Sequence, residues 1–294
     1  QNLLVGRLTI NRQWAAFFGR GLVRTAEDFG YTGDPPTHPE LLDWLAVEFV
    51  RRGWSLKALH RLIVTSATYR QSSRVTPELL ARDPENKLLA RCARFRLEAE
   101  LLRDAALRAS GLLSPRLGGP SVFPPQPPGV TTEGAYGALA WKLSVGPDRY
   151  RRGLYTFSKR TAPFAAFTTF DAPSGEACVA RREASNTPLQ ALTLLNDVAF
   201  LECARALGRL TAAREGSPED RAAWLFRRCL TRPPAADERA TLAAFYRAQK
   251  SRLDRHELDG AKLAGPGACD PAECAAWALV ARAVLNLDEF VTKD

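Results

Sequence analysis

The stretch RREASNTPLQALTLLN, from Arg181 to Asn196, sets two adjacent arginines and a carboxylate ahead of a helix start. Thr187 stands before Pro188. A threonine hydroxyl there accepts one of the orphan N–H groups of the first turn, and proline at the first helical position gives up an N–H that had no partner anyway. Ser217-Pro218 and Asp270-Pro271 repeat the device. Three such starts, each followed by an apolar helical pattern, make the C-terminal half helical. The pattern predicts helices over 189–210, 218–230, 236–253 and 271–285, and Glu273 adds a capping-box-like acid to the last.

The N-terminal part reads the same way. Thr37-His38-Pro39-Glu40 has the form of a capping box. The following ELLDWLAVEFVRR places Leu41, Leu42, Leu45 and Phe49 on one face, and Gly53 ends it. Ser55 then caps SLKALHRLIVTSATYRQ, with Leu56, Leu59, Leu62 and Ile63 inward. The two form an αα-hairpin. Leu56 and Ala58 open the second helix where a DNA-reading helix needs polar side chains, so packing is the better reading. A further helix is expected over 96–110.

The middle breaks the pattern. Six prolines between Leu113 and Pro128 exclude regular helix and call for an extended surface excursion. YRRGLYTFS, from Tyr150 to Ser158, alternates as a short strand does. Phe164, Phe167 and Phe170 follow in a stretch expected to be non-helical and to anchor the segment to the core. Residues 254–270 read as an exposed loop. The fold expected is mainly α: a multi-helix globular bundle with an irregular Pro-rich middle and at most a short β element. One domain over 1–294 is expected, helical over 1–112, irregular over 113–180 and helical again over 181–294.

Composition narrows the function classes. Lys and Arg number 41 against 32 Asp and Glu, a net charge of +9. Such a balance admits nucleic acid, anionic glycans or acidic proteins as partners. The charges are dispersed, which favours solvated helix faces over a binding tail. Trp44, Phe49, Trp224 and Trp277 fall on apolar faces and read as core, so nucleic-acid binding rests on charge alone. No apolar run reaches the roughly 20 residues of a membrane span. The chain opens on Gln1 within an apolar pattern (Leu3, Leu4, Leu8, Ile10) and reads as the mature part of a longer precursor.

The three histidines, His38, His60 and His256, are far apart in sequence and form no H-E-x-x-H, and there is no G-x-S-x-G elbow. Among the six cysteines no C-x-x-C occurs, which removes zinc ribbons, and no C-x-x-C-H, so no cofactor is expected within this chain. Cys269 and Cys274 are close enough to bridge if the backbone turns; two separate thiols are the alternative.

What remains is a polar constellation. Arg149, Arg151 and Arg152 surround the expected strand, Arg160 follows it, and Asp171 ends the phenylalanine run. Arg181, Arg182 and Glu183 precede the capped helix, from which Gln190 and Asn196 project. Arginine forks beside a helix N-terminus suit carboxylate, sulfate or phosphate. The alternative is an internal salt-bridge network pinning the middle segment to the helices, with Asp171 and Glu183 as its acids.

At these residues the chain resembles the C-terminal planctomycete-type domain of unknown function 1553. The strings that carry the likeness are NRQWAAFFGRGLVRTAEDFG from Asn11, THPELLDWLAVEF from Thr37, and GWSLKALHRLIVTSATYRQSS from Gly53. RRGLYTFSKRTAP from Arg151, RREASNTPLQALTLLND from Arg181 and LNLDEFVTKD from Leu285 complete it. The resemblance implies an exported, periplasmic or otherwise extracytoplasmic module. Its partners would be other subunits or domains of the same precursor, a cytochrome c among them. It brings no catalytic residue set. Two functions are expected to compete: a structural or interaction module of a larger assembly, and an enzyme or binding module acting on an anionic polysaccharide through the arginines.

Overall fold

The computed structural model describes residues 3–127, 141–267 and 269–293. They are mainly helical, with one two-stranded antiparallel sheet. Pro128 and the chain on to 140 lie outside the described residues. The chain divides into two compact units, 1–96 with 292–294, and 97–291.

The first unit holds α1 (Leu3–Phe18), α2 (Pro39–Arg51), α3 (Leu56–Val64) and α4 (Pro77–Arg82). Strand β1 (Phe95–Arg96) pairs with β2 (Thr292–Lys293). Its core joins Ile10, Trp14, Phe18, Leu45, Phe49 and Leu59. The buried Asn11 side chain both donates to Val23 O and accepts from Val23 N, which pins the turn after α1. The capping box expected at Thr37 does not form. His38 is the N-cap of α2, and the Thr37 N–H and hydroxyl both donate to Leu22 O. Ser55 does cap α3, accepting from Ala58 N. That helix ends at Val64 rather than Gln71, where Thr65 and Ser66 turn their hydroxyls onto the carbonyls of Arg61 and Ile63. Leu56 and Trp44, both expected in the core, are exposed, Trp44 by 53%.

The second unit holds α5 (Ala99–Ser110), α6 (Ala165–Thr169), α7 (Pro188–Asn196), α8 (Val198–Ala212), α9 (Pro218–Leu230), α10 (Ala236–Asp254), α11 (Gly260–Ala264), α12 (Pro271–Leu285) and α13 (Asp288–Val291). The three capping-residue-plus-proline starts form as read: Thr187 accepts from Gln190 N, Ser217 from Asp220 N, and Asp270 from Ala272 N and Glu273 N. Glu273 itself turns away from the cap. Its carboxylate accepts from Arg221, Tyr246 and Trp277. Helix α12 carries only two charged residues, Glu273 near its start and Arg282 near its end, and is buried along most of its length. It crosses α8 at Gly208, where a Cβ would stand 2.8 Å from the Ala278 Cα, so only glycine permits the approach.

Four further expectations change here. The helix expected over 189–210 is two helices, broken at Asp197, whose extended backbone (φ −64°, ψ 140°) ends α7 and whose side chain caps α8. The strand expected over 150–158 is two 3-10 turns, Gly146–Tyr150 and Gly153–Tyr155, with isolated parallel bridges from Arg151 to Ser114 and Thr156 to Val122. Gly153 breaks the alternation because its Cα packs on the Glu100 backbone, 2.9 Å from where a Cβ would sit. The phenylalanine run contains the short helix α6; Phe170 still reaches the core. The loop over 254–270 likewise contains α11.

Candidate functional site

The polar constellation lies within the second unit, and its geometry begins with the acids of α5. Glu100 and Asp104 sit one helical turn apart and face the irregular segment. Arg182 makes a bidentate pair with Glu100, at 2.6 and 3.2 Å, with Glu98 at 3.5 Å. Arg152 Nε donates to Asp104 at 3.2 Å, and the same carboxylate accepts from Gly153 N. Arg149 forks onto Glu202 of α8. Those hydrogen bonds hold the Arg149 and Arg182 guanidinium groups above their ordinary pKa. Three of the arginine forks are therefore occupied by carboxylates of the same unit.

Arg151 is different. It is 1% exposed and has no carboxylate partner among the described residues. Its guanidinium donates to Pro120 O, Arg116 O and Gly118 O, and lies 3.7 Å from the centre of the Tyr155 ring. The Tyr155 hydroxyl accepts from Gly118 N. This residue is the pin of the Pro-rich excursion, whose carbonyls have no helix or sheet to satisfy them.

Asp171 and Glu183 are not the arginine partners expected. Asp171 accepts from the Ser185 N–H and hydroxyl and from Gln190 Nε2. Gln190 is 1% exposed and also donates to Thr169 O, so α6 and the N-terminus of α7 are clasped through side chains. Glu183, Arg160 and Arg181 are exposed. Asn196 is exposed too; it donates to Leu192 O and accepts from Arg282, which also donates to Leu195 O and so closes the end of α7.

A family model matches residues 1–246: PSD1, protein of unknown function (DUF1553). The chain belongs to this family. No curated protein matches it, and no solved structure does. The PSD1 match takes in every residue of the constellation. It leaves outside α11, α12 and the Cys269–Cys274 disulfide that joins the connecting loop to α12.

Sequence reasoning missed the acids Glu98, Glu100, Asp104 and Glu202. They stand on ordinary amphipathic helices, and nothing local marks them. It also missed the apolar outer face of α7. That helix buries Gln190 and leaves Leu189 and Leu192 exposed by 59% and 54%. The signal was present as leucines at i and i+3 flanking a lone amide. The hollows of this unit among the described residues include a small cavity between α5, α6 and α8 and an open groove of about 490 Å³ beside Arg205 and Lys262. Arg181 and Arg182 line neither. Among the described residues no three His, Cys, Asp or Glu side chains are grouped to hold a metal ion, and no helix is long and apolar enough to cross a membrane. Burial pushes the Cys203 thiol up to about 12, and the Cys229 thiol likewise, which leaves both protonated and unreactive.

Proposed function

We propose that this chain is a non-catalytic docking module of a larger extracytoplasmic assembly, binding another protein domain through α7. One observation carries the reading: α7 turns the amide of Gln190 inward and holds Leu189 and Leu192 out in water, while Leu194 packs into the core. An exposed apolar helix face has a free-energy cost in water that a partner removes. Its fixed setting supports the same view, since Asp171, Ser185 and Arg282 clamp both ends. The chain's net charge of +9 favours a partner whose apolar contact is rimmed by carboxylates. The Cys269–Cys274 bond supports an oxidising compartment. The resemblance stated from the sequence supports a cytochrome c-bearing subunit as that partner.

The test is isolation of the native protein with identification of its companions by mass spectrometry and haem staining. A Leu189→Glu/Leu192→Glu variant, checked for fold by circular dichroism, is expected to lose the companion. A folded variant that keeps the same companion overturns the reading.

A second reading, recognition of an anionic polysaccharide, is favoured by the exposure of Arg160 and Arg181. It requires sulfated or carboxylated glycan to bind the purified chain and to lose affinity in Arg160→Ala/Arg181→Ala.

A further inference from the structure

Arg103 stands on α5 with 6% of its surface exposed, and among the described residues no carboxylate lies within ion-pair distance of it. Nη2 donates to Arg149 O at 2.9 Å, while the buried Nε has no partner. A buried guanidinium N–H without an acceptor is strongly unfavourable. The same residue lines the cavity between α5, α6 and α8, whose volume is about 10 Å³. Most of that wall is apolar, built from Phe164, Phe167, Phe170 and Phe200. Two other residues with polar side chains line it: Asp197 and Cys203. The Asp197 carboxylate accepts from the backbone N–H groups of Ala199 and Phe200 as the cap of α8, and loss of hydration holds its pKa above the ordinary value. A cation and an anion thus line one cavity without touching each other.

The size of the cavity selects the ligand. About 10 Å³ is the room of one water and of nothing larger, and a water needs two to four polar partners. Arg103, Asp197 and Cys203 supply them. We infer that a single bound water occupies this site, accepting from Arg103 Nε and donating to the Asp197 carboxylate. The water ties α5 to the residue at which α7 ends and α8 begins. It therefore helps to set the direction of α7 and is independent of what α7 binds.

The experiment is a crystal structure of the full chain at a resolution that shows ordered waters. The expected result is one density peak within hydrogen-bond distance of both Arg103 Nε and an Asp197 oxygen. A cavity without density, or a direct Arg103–Asp197 ion pair that closes it, overturns the inference. A second measurement reads the same site in solution. Ala166→Val puts methyl groups into the cavity from α6. If a water bridges the charges, this substitution lowers Tm in the native background and is neutral or stabilising in an Arg103→Met background, where the donor is gone. A rise in Tm in the native background, or an equal fall in both, overturns the inference.

Discussion

Asp171 holds its backbone at φ +60°, a region that Asp and Asn tolerate better than other side-chain-bearing residues. Its carboxylate gathers Ser185 and Gln190. Asp171→Asn keeps the backbone preference and part of the acceptor set. Asp171→Ala loses both, and is expected to cost about 2–3 kcal/mol more in urea unfolding than Asp171→Asn. Arg182 acts through a half-exposed bidentate pair, so Arg182→Ala is expected to cost only about 1 kcal/mol by the same measurement. A loss of glycan affinity without any loss of stability would instead mark it as a ligand contact. Glu238 gives a pH signature. Its hydrogen bonds with Arg232 lower its pKa from the ordinary 4.5 to about 2. A group whose folded pKa is depressed stabilises fully above its unfolded pKa and loses that contribution as pH falls. Acid unfolding is therefore expected to steepen below about pH 4.5, where the unfolded chain begins to bind this proton. Glu238→Gln should flatten the profile between there and about pH 2.

At the scale of elements, the break at Asp197 decides how α7 is used. One continuous helix over 189–210 would carry its leucines around a single axis; two helices free α7 to present Leu189 and Leu192 outward. Asp197→Ala removes the cap of α8 and is expected to cost about 1 kcal/mol or more, read from the melting curve. The two faces of α7 should separate cleanly. Leu194, buried in the core, is expected to cost about 2–5 kcal/mol on replacement by Ala, whereas Leu189→Ala should stay within about 0.5 kcal/mol of the native chain.

At the scale of the whole molecule, the last residues belong to the first unit. β2 comes from the C-terminal end and pairs with β1, and Lys293 lies over the Tyr69 ring at 4.6 Å. A chain ending at Val291 is expected to lose hydrogen-exchange protection around Phe95 and Arg96 while α8 and α12 keep theirs. Equal protection in both chains would show that the strand pair contributes nothing.

By itself the sequence determined what local chemistry can enforce. The helical class followed from apolar spacing. The starts of α7, α9 and α12 followed from a capping side chain before proline, which acts within one turn and needs no distant partner. The irregular middle followed from prolines that cannot complete a helix. Tertiary structure decided everything that depends on a partner far along the chain. Thr37 gave up its box because its N–H, the donor that Glu40 would have accepted, goes instead to Leu22 O, fifteen residues back. The alternation of YRRGLYTFS became bridges and turns because Gly153 had to pass against Glu100. The site residues were legible as a group, since charged and amide side chains crowd 149–196, but their pairing was not. Arg149, Arg152 and Arg182 found Glu202, Asp104 and Glu100 across separations that no local pattern encodes, because an ion pair is fixed by distance in space and only the packed helices set that distance.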